Sequence, residues 1–173
     1  MEENQPKVGT FSRNYGVLAG ATGIIFSLML YLADMHHERS FAIQAVQYLI
    51  LAVFVVLAIL QFKKANGGFI SLIQAMKIGP GVAVVSFILG IIYFLIFSNV
   101  IEPNFMEQAY ELGRQQALEQ NPNLTTEQID QSIEIQKKFF WVIMAVFMLL
   151  SVIFGFIVSL ITGLIVKKDK PAY

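Results

Sequence analysis

The chain has 173 residues, of which 56% are apolar and only 14% charged, against a soluble norm of roughly 45–50% and about 25%. Twelve basic and twelve acidic residues cancel, so no net charge draws the chain toward nucleic acid. The absence of cysteine excludes disulfides, thiolate metal sites and thiol nucleophiles. With a mean hydropathy of +0.64, the composition excludes an ordinary soluble domain and predicts an integral membrane protein.

Four runs free of Asp, Glu, Lys, Arg and His pass the spanning test of about 20 mostly apolar residues. They cover residues 15–33, 41–62, 80–98 and 139–166. At a helical rise of about 1.5 Å per residue, the first and third are roughly 28 Å long, close to the ~30 Å hydrocarbon layer. The fourth, at about 42 Å, has to tilt or protrude. The first run has Lys7 and Arg13 on its flank, as a signal peptide would. Its apolar stretch is longer than an h-region, however, and Tyr31 stands where cleavage after Ala33 wants a small residue, so a retained helix is expected. The expected fold is all-α: a single membrane domain over 1–173 with four transmembrane helices.

Orientation follows from the basic residues. With a cytoplasmic N-terminus, Lys7, Arg13, Lys63, Lys64, Lys77, Lys167, Lys168 and Lys170 lie inside, and Arg39, Arg114, Lys137 and Lys138 outside. Of the acidic residues only Glu2, Glu3 and Asp169 lie inside. The expectation is a multi-pass protein of the cell inner membrane with both termini cytoplasmic.

The segments between the spans each carry a signal. The first loop is short and holds Asp34, His36, His37 and Glu38. Adjacent histidines in a tight loop rarely aim at one ion, so no metal site is expected there. After the turn signal Asn66-Gly67-Gly68, the polar residues Ser71, Gln74 and Lys77 recur every third position, predicting an interfacial amphipathic helix over 69–78. Gly79-Pro80-Gly81 is expected to break it before the third span. Residues 99–138 form the largest extramembrane piece and are expected to make an outer helical hairpin. Its first helix follows Glu102-Pro103 and stops at Asn121-Pro122-Asn123. The second starts at a capping box of Thr125 and Gln128, with Leu124 and Ile129 as a hydrophobic staple, and should run uninterrupted into the fourth span.

Within the spans the clearest pattern is one of small residues: Gly16 and Gly20, Ala19 and Gly23, then Ser151, Gly155, Ser159 and Gly163 four apart. Such faces let helix backbones approach closely in lipid, and packing within the chain is the expected use. The polar residues in the spans are mild: Thr22, Ser27, Gln44, Gln47, Ser86, Ser151, Ser159 and Thr162. Interhelical hydrogen bonding is their ordinary role, and a solute path the alternative.

The run from Gly67-Gly68-Phe69-Ile70-Ser71-Leu72-Ile73-Gln74-Ala75-Met76-Lys77-Ile78 to Gly79, and Ile101-Glu102-Pro103-Asn104-Phe105-Met106-Glu107-Gln108, resemble stretches typical of the bacterial domain-of-unknown-function family numbered 4199. The four-span layout, the helical insertion and the lysine-rich end are similar to that family across essentially the whole chain. The resemblance implies the architecture and supplies no activity or substrate.

Nucleotide fingerprints, zincin pairs and nucleophile elbows are absent from the sequence, and no charged residue lies inside a span to mark an ion pathway. No catalytic, cofactor-binding or metal-binding residue is therefore expected, and no enzyme activity. The expected function is a structural or accessory role, with a partner docked on the outer hairpin. The alternative is a subunit of an oligomeric small-solute transporter or channel. The expected partners are the lipid bilayer and another membrane or periplasmic protein, with a homo-oligomer left open and no nucleic acid.

Overall fold

The computed structural model describes residues 6–35 and 40–169, and six α-helices account for most of them. Four are long and apolar enough to cross a membrane: α1 (Val8–Leu32), α2 (Phe41–Ala65), α3 (Leu72–Ile96, extended by a π-turn over Phe97–Ile101) and α6 (Phe140–Val166). Two shorter ones, α4 (Phe105–Gln120) and α5 (Thr126–Lys138), lie between the third and fourth spans. The expected all-α architecture of four spans and an inserted hairpin is the one observed. Residues 1–91 with 148–173 form one compact unit, and 92–147 a second.

The first unit packs on small side chains. Within it, α3 meets α1 on one side, where Gly16 and Gly20 lie against Val85 and Leu89, and Gly81 lies against Ser12. On another side it meets α6, where Gly79 faces Gly155 and Ser159, and Gly163 faces Ala75. A Cβ built on Gly155 would stand 2.8 Å from the Gly79 carbonyl oxygen, so these two backbones are in contact. The four-residue ladder of α6 thus packs inside the chain, as expected. Next to this seam lies the apolar core of Val55, Ala58, Ile59 and Phe62 from α2 with Ile78 and Val82 from α3, all essentially inaccessible. In lipid the gain from such a seam comes from close van der Waals contact, since the tails outside are as apolar as the core.

Several expectations are corrected here, the first of them ahead of the third span. The stretch 69–78 is not a separate helix, because α3 starts at Leu72 and runs through Pro80 to Ile96. Its start is a capping box: the Ser71 amide donates to Gln74 Oε1 at 2.9 Å, and the Gln74 amide to Ser71 Oγ at 3.2 Å. The spacing taken for a polar helix face is therefore an N-terminal cap. Pro80 removes one intrahelical bond and crowds the preceding turn, but a break in the bilayer would strand more backbone groups. Beside the proline, the buried Ser12 hydroxyl donates to the Ile78 carbonyl at 3.3 Å and ties α1 to α3.

The second correction is at Phe139, where α5 does not run seamlessly into α6. One residue leaves the helical well (φ −102°, ψ 17°). Its amide closes the end of α5 on Ile135 O and its carbonyl accepts from Ile143 N–H at the start of α6, both at 2.9 Å. The third span also ends later than residue 98, because the π-turn carries it to Ile101 and the Glu102 amide closes on Phe97 O at 2.8 Å.

Candidate functional site

Two places outside the helix seam gather polar groups, one in each unit. In the first, α2 ends at Asn66, and Gly67 and Gly68 follow with φ of 68° and 88°. Those left-handed conformations favour glycine and let the Gly68 amide return to Lys63 O at 2.8 Å, a Schellman closure. The buried Asn66 side chain donates to Phe69 O at 2.8 Å. The next residue, Ile70, exchanges both backbone hydrogen bonds with Lys168 at 3.0 Å each, a single antiparallel bridge. Lys168 Nζ then lies 5.3 Å from the centre of the Phe69 ring. The resulting shallow cleft of about 200 Å³ is lined by Asn66, Phe69, Ser71, Gln74 and Lys168. Asn66, Ser71 and Gln74 are engaged in caps and turns and the Ile70–Lys168 bridge closes the cleft, so its geometry is that of a structural clasp.

In the second unit, α4 and α5 form the hairpin. Thr125 and Gln128 make the expected capping box, with the Gln128 amide donating to Thr125 Oγ1 at 3.3 Å and the Thr125 amide to Gln128 Oε1 at 3.0 Å. The two helices are tied by Arg114 of α4, whose guanidinium pairs with Asp130 of α5 and lies 3.6 Å from Glu111. Lys137 Nζ lies 5.0 Å above the Tyr110 ring, a second tie between the helices. Ile129 is the buried apolar contact of α5. At the base, Phe97 and Phe105 meet edge to face at 5.2 Å, and Phe94 stacks on Phe140 at 5.6 Å. Asn99 Nδ2 donates to Leu95 O at 2.8 Å across the π-turn. The hairpin is thus held in one conformation by polar ties above and aromatic rings below, and most of its surface is exposed.

Of the polar residues read in the spans, Ser159 and Thr162 are buried and donate to carbonyls of their own helix, Phe156 O at 2.9 Å and Val158 O at 2.8 Å. Ser151 does the same to Met148 O at 2.8 Å. Gln44 and Gln47 are exposed, although they continue the α2 stripe on which Leu51, Val55, Ala58 and Phe62 are buried. Neither makes a side-chain hydrogen bond to a described residue. His36 and His37 lie outside the described residues. Ser12 had no place in the sequence reading, since a lone serine near a helix start carries no pattern. The Ser71-x-x-Gln74 box did carry one, identical in form to Thr125-x-x-Gln128.

Four apolar helices, a seam of small residues and a helical insertion define a multi-pass helical membrane protein. The chain belongs to the family described as protein of unknown function (DUF4199), whose model matches residues 14–168. No curated protein and no solved structure matches the chain.

Proposed function

We propose that this is a non-enzymatic accessory protein of the bacterial inner membrane that docks a membrane or periplasmic partner on its α4–α5 hairpin. The observation that carries the reading is the hairpin, which lies in the second compact unit, has an exposed surface and is tied by the Arg114–Asp130 pair and the Thr125 box. A preorganised surface loses little entropy on binding. The eight-to-four division of basic residues supports placing both termini in the cytoplasm and the hairpin outside.

The test is photo-crosslinking in native membranes from exposed hairpin positions such as Glu119 and Gln131. One discrete adduct, seen from the hairpin and absent from lipid-facing α6 positions, is expected; no adduct from any hairpin position removes the reading. Topology is tested separately, because the chain has no cysteine of its own. Gln120→Cys should react with an impermeant thiol reagent on intact cells, and Ala65→Cys only after the membrane is opened.

A second reading, a subunit of an oligomeric small-solute transporter or channel, is supported by the exposed amides of Gln44 and Gln47 within a membrane-spanning run of α2. Solute flux in liposomes that Gln47→Leu abolishes would favour it over docking.

A further inference from the structure

The exposed apolar surface of α6 does not stop where α6 begins. Toward the N-terminus, Val146 and Val142 on α6 are succeeded by Phe139 at the turn and Ile135 on α5, at spacings of four, three and four residues. These side chains are 51%, 58%, 46% and 58% exposed. Their spacing of three and four residues is that of one helical face, and all four are exposed. One turn further on, that face changes character, to exposed Ser132, Gln131 and Gln128. The polarity switch therefore lies inside α5, between Ser132 and Ile135, rather than at the α5–α6 turn.

Three more features of this unit mark the same level. Trp141 is 60% exposed and is the single tryptophan of the chain. Lys138 Nζ lies 5.7 Å from the Phe139 ring centre, and Lys137 Nζ 5.0 Å from that of Tyr110. Exposed Val100 and Ile101 end the π-turn of the third span. Indole rings and lysines with apolar stems and charged tips gather at the headgroup level of a bilayer. Length agrees. The 27 residues of α6 rise about 40 Å, too long for a ~30 Å hydrocarbon layer but matched to the ~40–45 Å that includes the headgroups.

We propose that the last turn of α5, from Ile135 to Lys138, and the following Phe139 and Trp141 are seated in the lipid headgroup layer, with the Lys138 ammonium at the level of the lipid phosphates. The occupant of this apolar face is the bilayer interface, because the face is continuous with the lipid-facing side of a transmembrane helix. The inference is independent of what the hairpin docks. It makes the foot of the hairpin an immersed element and accounts for the excess length of the fourth span without requiring a steep tilt.

The single tryptophan supplies the test. The full chain is reconstituted in phosphatidylcholine vesicles containing lipids brominated either near the glycerol or near the chain methyl. Trp141 emission should be blue-shifted, quenched more by the shallow bromines than by the deep ones, and weakly quenched by acrylamide. Strong acrylamide quenching without a bromine effect would overturn the proposal, as would protection from both quenchers, which would mean that a protein covers the face. Two further variants, each on a Trp141→Phe background and each checked for native helix content, locate the boundary. Ile135→Trp should respond to shallow bromines and Gln131→Trp to acrylamide; an Ile135→Trp that behaves like Gln131→Trp places α5 in water and overturns its immersion.

Discussion

The two compact units are held together by opposite means. In the first, helices meet through glycine, alanine and serine, with Gly79 against Gly155 and Gly163 against Ala75, so stability depends on what is missing from the side chains. In the second, α4 and α5 are tied by what reaches across: Arg114 to Asp130, Lys137 to Tyr110, and the paired caps of Thr125 and Gln128. A lipid environment gives no hydrophobic drive between helices, so close backbone approach has to supply the contact energy. A partly wet hairpin can use charged and polar ties, each of modest worth. The comparison teaches that an added methyl should be harmful in one unit and nearly neutral in the other, and a lost charge the reverse.

The largest effect should come from Gly79→Ala. Its Cβ would collide with the Gly155 carbonyl oxygen and the Ser159 side chain, and overpacking of this kind costs up to about 3 kcal/mol or more. Thermal unfolding in detergent should show it, together with Gly155→Leu. Gly113→Ala in α4, where a Cβ meets nothing within 4 Å, should instead be neutral or stabilising by up to about 1 kcal/mol. Equal losses at Gly79 and Gly113 would break the comparison.

Next comes Thr125→Ala, which removes one half of the α5 capping box at a cost of about 1 kcal/mol. Hydrogen exchange should rise first at the Gln128 amide, which donates to the lost oxygen, while the seam of the first unit stays protected.

Arg114→Ala should cost less, at most about 1 kcal/mol, because Arg114 and Asp130 are 32% and 46% exposed and solvent screens the pair. The expected readout is faster exchange in α4 and α5 at unchanged global melting temperature. A large fall in melting temperature would show that the hairpin carries the stability of the whole chain.

The smallest effect sharpens the comparison at a helix end. α1 closes with a Schellman motif in which Asp34 takes the left-handed position, φ 57°, and the Met35 amide reaches Leu30 O at 2.9 Å. Glycine is the usual occupant there, so Asp34→Gly should stabilise by a few tenths of a kcal/mol up to about 1. A melting temperature that falls would mean that the Asp34 carboxylate does more than fill a turn.

The four spans, the hairpin and the intramolecular ladder were legible because each rests on a long-range composition or a repeated spacing. The capping box at Thr125 was legible because its four residues are self-contained. Its counterpart at Ser71 was misread because apolar residues surround it, so that Ser71, Gln74 and Lys77 looked like a helix face. Pro80 misled for a related reason. Propensity in water puts a break there, whereas the bilayer penalises stranded backbone, and α3 runs on through the proline. The π-turn at Phe97–Ile101 and the interruption at Phe139 had no sequence signal, since both are adjustments of one residue in register. As for the candidate site, the hairpin could be located from sequence, but the Arg114–Asp130 tie joins separate helices and no spacing rule predicts it.

The bridge between Ile70 and Lys168 also sets an order of events during biogenesis. Ile70 leaves the ribosome early, directly ahead of α3, and its partner follows only after α6 has been made. Until then the Gly79 face of α3 and the turn after α2 have no α6 to close on, so the first three spans must wait in the membrane as an unfinished bundle. Contacts this distant in sequence form slowly, and here they form last. Arrival of α6 fills the glycine seam and fastens the α2–α3 turn in one step, so a chain stalled before that point would present an open face to quality-control proteases.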